Sequence, residues 1–175
     1  MVAMVIGDPY DIAVIFEYIK EWNGDSVFTN GILAFSMDGI LFPSEALNAM
    51  LLRELKELSA KLESIPQNDE VYGLEKGMCF EKIYDMIYPD DWDQDGKAEY
   101  NISPTSFLDD DYLIFAVGSG DKVRLLYAKT EYDFSQSRSN WNDADIHEWV
   151  VEREALNKIA NRLKNLTDAE VRFYL

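Results

Sequence analysis

The sequence predicts a single α+β domain over residues 1–175, built on a mainly antiparallel sheet with about four helices. Three observations lead there. Of the 175 residues, 47% are hydrophobic, enough for a chain of this length to bury a core without covalent staples. Short apolar runs meet across Asp38-Gly39 and across Gly118-Ser119-Gly120-Asp121, both of them hairpin signals. Leucines and isoleucines recur at helical spacing between those hairpins, with no regular strand–helix–strand unit, no repeat and no low-complexity linker.

Taken in order, residues 2–6 are a short apolar run closed by Gly7. Asp8 and Pro9 have the chemistry of an N-cap and a first helical residue, and Ile12, Ile15, Phe16 and Ile19 fit a helix that runs to Trp22 and stops at Asn23-Gly24-Asp25. Residues 32–36 and 40–42 form a hairpin over Met37-Asp38-Gly39. Pro43-Ser44-Glu45 opens a second helix, with Leu47, Leu51, Leu55, Leu58 and Leu62 as its buried stripe. That stripe lasts barely two heptads, too short for a coiled-coil seam. A break at Ile65-Pro66-Gln67-Asn68 precedes a weaker helical pattern over 71–88, with Cys79 or Phe80, Ile83, Met86 and Ile87 facing inward and Pro89 ending it. Residues 90–111 read as an acidic loop with a short strand near Tyr100. Residues 112–117 and 122–129 form the second hairpin, and 131–143 a long exposed loop. Residues 146–151 have strand composition, with a helix start as the alternative. Leu156, Ile159, Ala160 and Leu163 mark the last helix, followed by a short, half-apolar tail.

Sixteen Lys and Arg against 33 Asp and Glu give 16 − 33 = −17. Phosphate binding needs clustered cations, so a general nucleic-acid binder is disfavoured, as is docking on an anionic membrane. A basic protein partner is favoured, and the field of the whole chain speeds its capture. Cys79 is the single cysteine, so no intramolecular disulfide forms and a reducing cytoplasm is expected. The N-terminal residues lack the basic and long apolar regions of a secretory signal, and no apolar run is long enough to span a bilayer.

The excess acid concentrates between residues 90 and 111. Asp90, Asp91, Asp93, Asp95, Glu99, Asp109, Asp110 and Asp111 stand there against Lys97, with Tyr88, Trp92 and Tyr100 interleaved. Carboxylates supply charge and aromatic rings supply anchors, the two components of a surface that recognises a basic protein. A solvated, solubilising loop is the plainer reading of the same residues. Asp91-Trp92-Asp93-Gln94-Asp95-Gly96 also resembles the opening of a calcium loop, with oxygen ligands at positions 1, 3 and 5 and glycine at 6. Position 12, which requires a bidentate Glu, is Ile102, and position 8 is Ala98. A calcium-binding regulatory module therefore stands only as the alternative, and no metal or cofactor is expected.

Catalysis finds little support, and no catalytic residue is assigned. Cys79 falls on a predicted buried face without a basic neighbour to lower its pKa. His147 has Glu148 beside it but no nucleophile in a recognisable motif, which leaves a small His147-dependent enzyme as a minor rival. Gly31, Gly118 and Gly120 build no phosphate loop.

Val5-Ile6-Gly7-Asp8-Pro9-Tyr10, Glu21-Trp22-Asn23, Asn30-Gly31 and Asp38-Gly39-Ile40-Leu41-Phe42-Pro43 together resemble the start of the immunity 42 family, with Met4 matching its usual first residue. Those proteins are small cytosolic antitoxins of bacterial polymorphic toxin and contact-dependent growth inhibition systems. Beyond the first 45 or so residues the similarity is one of pattern. The resemblance implies a non-enzymatic immunity protein that binds one cognate toxin C-terminal domain, one to one. The expected toxin is a nuclease, with tRNA among its candidate substrates and a basic active site that an acidic surface can cover. The matching residues are mostly apolar, Gly or Pro, so the resemblance places no site. The contact residues expected from the acidic and aromatic pattern are Tyr88, Asp90, Asp91, Trp92, Asp93, Asp95, Tyr100, Asp109, Asp110 and Asp111. Occlusion of the active site and locking at an exosite both remain open.

Overall fold

The structure, a computed structural model, describes residues 3–24, 27–90, 95–143 and 145–173. It is an α+β fold whose strand pairs are antiparallel throughout the named ladders. The chain groups into two compact units, Met1–Glu63 with Pro104–Phe107 and Glu154–Leu175, and Ser64–Ser103 with Leu108–Arg153. Neither unit is one continuous stretch, so no linker composition marks their border.

The first unit is built on a five-stranded sheet. β1 (Met4–Gly7), β2 (Ile12–Tyr18), β3 (Asn30–Met37) and β4 (Ile40–Phe42) follow one another across it, and β5 (Asn48–Met50) also pairs with β3. The helix expected from Pro9 to Trp22 is therefore a strand, followed only by a 3-10 turn at Lys20–Trp22. Ile12, Ala13, Val14 and Phe16 are all buried, because β2 lies between β1 and β3 and is covered on both faces. A strand buried on both faces reads as a continuous apolar run, which helical spacing also fits. Asp8 caps a turn instead of a helix: its Oδ1 accepts from the Tyr10 N–H at 2.9 Å.

The β3–β4 hairpin forms as expected. Asp38 and Gly39 both take positive φ (51° and 76°), the backbone that a two-residue hairpin turn requires. The following helix starts later than Pro43. Asn48–Met50 pair with β3, and α1 runs over Leu51–Glu63. Leu51, Leu55, Leu58 and Leu62 are buried on it as expected, and Leu47 is buried from outside the helix. Glu54 fixes the helix start. Its Oε1 accepts from Met50 N–H (2.8 Å), while its Oε2 accepts from the Ser106 N–H (3.1 Å) and hydroxyl (2.7 Å). Phe107 sits edge-on to Phe35 and Phe42. Two C-terminal helices complete this unit, α5 (Arg153–Lys164), whose Ala160 carbonyl accepts from Ser59 Oγ at 2.8 Å, and α6 (Asp168–Phe173) against α1 and β2.

The second unit is built on β6 (Tyr112–Ser119), β7 (Lys122–Lys129) and β10 (His147–Glu152), in the order β10-β7-β6. The 112–129 hairpin stands as expected, and 146–151 resolves to a strand. α2 (Asp69–Tyr72) and α3 (Lys76–Ile87) divide the single helical pattern expected over 71–88. Cys79, Phe80, Ile83 and Ile87 face the core together with Phe115, Val117, Leu126 and Ile146. The short strand expected near Tyr100 is a 3-10 turn at Ala98–Tyr100, with a single bridge between Asn101 and Phe115, and α4 (Thr105–Leu108) follows it. The loop expected over 131–143 contains a small hairpin, β8 (Glu131–Asp133) with β9 (Arg138–Asn140). Among the described residues no helix is long and apolar enough to cross a membrane.

Candidate functional site

All ten expected contact residues belong to the second unit's stretch of sequence, and those among the described residues fall on two segments, 88–100 after α3 and 109–111 before β6. The first leaves the C-terminus of α3. Tyr88 is 44% exposed, its ring 4.9 Å from that of Tyr84, and its hydroxyl accepts from Asn101 Nδ2 at 3.4 Å. Burial of the hydroxyl end pushes the Tyr88 phenol above its ordinary pKa; Tyr84 adds to the rise and the Asn101 bond opposes it. Asp90 and Asp95 are exposed, whereas Asp91, Trp92 and Asp93 lie outside the described residues. The loop closes on its own base, because the Lys97 N–H donates to the Met86 carbonyl at 2.8 Å. The described residues on either side of 91–94 are thus held against α3, with Tyr88 N–H on the Tyr84 carbonyl and Lys97 N–H on the Met86 carbonyl.

Tyr100 does not belong to that exposed surface. It is 4% exposed, packs into the core, and its hydroxyl accepts from Asn68 Nδ2 at 3.0 Å. Ile102 is fully buried, with its N–H on the Ile114 carbonyl, and offers no oxygen ligand from its side chain. Among the described residues no group of three or more His, Cys, Asp or Glu is arranged to hold a metal ion, and the carboxylates of Asp91 and Asp93 fall outside that statement.

The second loop carries Asp109, Asp110 and Asp111 into β6. Asp109 and Asp110 are exposed. Asp111 has φ 62°, and its carbonyl accepts from the Thr130 N–H (2.8 Å) and hydroxyl (3.1 Å), which closes the open end of the β6–β7 ladder. Part of this acidic triplet therefore serves the fold as a turn.

The residues weighed for catalysis sit apart from any such chemistry. Burial pushes the Cys79 thiol up to about 11, and its Sγ donates to the Val71 carbonyl at 3.2 Å. His147 stacks on Tyr127 at 5.3 Å. Glu148, the next residue along the strand, projects to the opposite face and bonds Arg124, Oε2 lying 2.6 Å from one terminal nitrogen and 2.8 Å from Nε. The same guanidinium donates to the Tyr72 and Leu74 carbonyls at 2.8 and 2.6 Å, so the charge beside His147 is committed to stapling the α2–α3 connection.

A further feature leaves little trace in the sequence. A groove of about 470 Å³ opens between the first turns of α3 and the β8–β9 hairpin, lined among others by Glu75, Met78, Glu81, Arg138, Trp141 and Asp143. Trp141 packs 4.9 Å from both Phe80 and Tyr84. Arg138 lies over the Tyr84 and Trp141 rings and 3.3 Å from Asp85. The sequence signal for this feature is Tyr132, Phe134 and Trp141 within an otherwise polar stretch.

The profile of the family described as Immunity protein 42 matches residues 4–166. No curated protein matches the chain at a significant level. A solved structure described as the crystal structure of CdiI from Burkholderia dolosa AUO158 superposes with a TM-score of 0.73 at 20% identity, covering 91% of this chain and 97% of that one. At that identity the superposition speaks for a shared fold. The family profile, in contrast, runs through both units and nearly every element described above, and on it the chain belongs to the immunity protein 42 family.

Proposed function

We propose that this immunity protein neutralises one cognate toxin domain by binding it one to one in the cytoplasm, without catalysis of its own. The toxin domain is basic, a nuclease, with tRNA among its candidate substrates. The observation that carries this reading is the acidic loop after α3. It is tied down at both ends, places Asp90 and Asp95 in water, and has the half-exposed Tyr88 at its base. Carboxylates held in this way meet the cations with which a nuclease holds phosphate, and they compete with its substrate for them. Asp91, Trp92, Asp93, Asp109 and Asp110 extend the same acidic and aromatic character along the sequence.

The test measures binding of the cognate toxin domain to this protein with Asp91, Asp93 and Asp95 changed together to Asn and Trp92 kept. Asn suits turns and nearly preserves shape, so folding changes little, while the net charge moves from −17 to −17 + 3 = −14. Loss of one partner of a desolvated charge pair costs about 2–5 kcal/mol, against about 0–1 for an exposed pair. The expected outcome is affinity weaker by about a hundredfold or more, and cells that lose protection. Parental binding and protection by the triple variant would show that the loop is merely solvated.

A further inference from the structure

The β8–β9 hairpin has a construction that folding alone does not require. Its tip places Phe134 in water at 88% exposure, with Tyr132 at 46% packed edge-on against it, ring centroids 5.0 Å apart. The tip is nonetheless tied by its own bonds. Asp133 Oδ1 accepts from the Ser135 N–H (2.8 Å) and hydroxyl (2.6 Å), the Asp133 carbonyl accepts from Gln136 N–H (3.2 Å), and Ser137 takes a positive φ of 54°. The base of the hairpin is clamped to α3, where the Ser139 N–H donates to the Tyr84 hydroxyl at 2.8 Å and Arg138 covers the Tyr84 and Trp141 rings. A large aromatic side chain held out on a rigid support is the form of an interface anchor, since its ordering entropy is spent before the partner arrives.

The groove beside this anchor indicates what the partner carries. Glu75, Glu81 and Asp143 line it, and the charge of Arg138 is already engaged by Asp85 and two rings. Such a wall repels phosphate and attracts an ammonium or guanidinium. Met78, 58% exposed, adds a soft apolar edge against which the stem of a long basic side chain can lie.

We propose that the β8–β9 hairpin is the apolar anchor of toxin recognition: Phe134, braced by Tyr132, enters an apolar pocket of the basic toxin domain while the adjoining groove takes a Lys or Arg side chain of the same partner. This inference rests on the reading of the chain as a toxin-binding immunity protein, and it adds a contact surface distinct from the acidic loop after α3. Hot-spot energetics fit a single buried aromatic surrounded by polar contacts, and the charged groove supplies register.

The test measures binding of the cognate toxin domain to the parent, to Phe134→Ala and to Glu81→Gln, with thermal unfolding of each as a control. Phe134 touches water on nearly all sides, so Phe134→Ala unfolds at the parental temperature. Its affinity is expected to fall by about thirtyfold or more, chiefly through faster dissociation. Glu81→Gln is expected to weaken binding less and to flatten its salt dependence. In hydrogen exchange, amides over 132–141 are expected to become protected in the complex. If the parent binds the toxin domain tightly while Phe134→Ala binds equally well and the hairpin amides stay unprotected, the anchor is overturned and the toxin-binding reading survives. If the parent does not bind, both fall.

Discussion

Leu55 lies midway along α1 and is fully buried, so truncation at that position removes a side chain with packing on every side. Leu55→Ala is expected to cost about 2–5 kcal/mol of stability, read as a shifted midpoint in denaturant unfolding. Toxin binding by the folded fraction should stay at the parental level, and a binding defect there would turn the leucine stripe into a contact face. Its period of three and four residues is visible in the sequence because one helix face meets one core. Asn23 carries no such periodic signal. Its side-chain amide donates to the Ile19 and Asn30 carbonyls (2.7 and 2.8 Å) and its carbonyl accepts from Asn30 N–H (2.7 Å), clamping the β2–β3 connection. Gly31 admits no side chain, since a Cβ there would lie 2.1 Å from the Glu17 carbonyl oxygen. Both positions fall within the segments that carry the family resemblance, and both act on backbone geometry. Such residues identify a fold by similarity while giving no periodic signal and marking no contact surface. Tyr100 shows the converse: composition groups it with exposed aromatics, and only its place in the core separates it from Tyr88.

At the scale of elements, success follows from whether a local signal is unique. Asp38-Gly39 specifies its turn through backbone that few residues adopt, and the hairpin forms where it is expected. Ile12, Ile15, Phe16 and Ile19 fit a helix as well as a strand, and only pairing with β1 and β3 decides between the two. The β8–β9 hairpin is hidden by its short strands and polar loop, although side-chain bonds to Asp133 order it. Residues 167–175, expected only as a short tail, carry α6, which starts on Thr167-Asp168-Ala169-Glu170, the S/T-x-x-E pattern of a capping box. Thr167 Oγ accepts from the Glu170 N–H (3.2 Å), and Glu170 Oε2 accepts from the Thr167 N–H (2.9 Å). That N–H, then the Arg162 guanidinium and the Thr167 hydroxyl, pull the Glu170 carboxyl down to about 2. The folded value lies below the unfolded one, which is about 4.3, so the carboxylate favours the folded helix fully above that pH. Its contribution is lost as pH falls through the interval down to about 2. An NMR titration of the Glu170 side chain should give a midpoint near the lower value, with α6 amides exchanging faster across the same interval. A midpoint near that of a free glutamate would mean that the box is not held in solution.

At the scale of the whole molecule, the decisive quantity is the excess of 33 acids over 16 bases. Several bases are occupied by neighbours on the surface, Arg53 with Glu57, Lys158 with Glu154 and Lys164 with Glu63, so the surplus acids are left facing water. Exposed pairs of this kind add little stability, and net self-repulsion works against compactness, so the charge is no device for folding. Its physical consequence is a long-range negative field that steers a basic partner. An immunity protein must capture its toxin before the toxin acts, which makes association rate the property that such a field improves. The expected outcome is a one-to-one complex whose association slows by about tenfold or more as salt rises from low to physiological ionic strength, where screening falls to about 8 Å. Dissociation should change much less over the same range, because charge contacts formed at close quarters are desolvated and poorly screened. Stopped-flow association and dissociation rates across a salt series separate the two effects. An association rate flat in salt would remove steering from the mechanism and leave the acidic composition without a kinetic role.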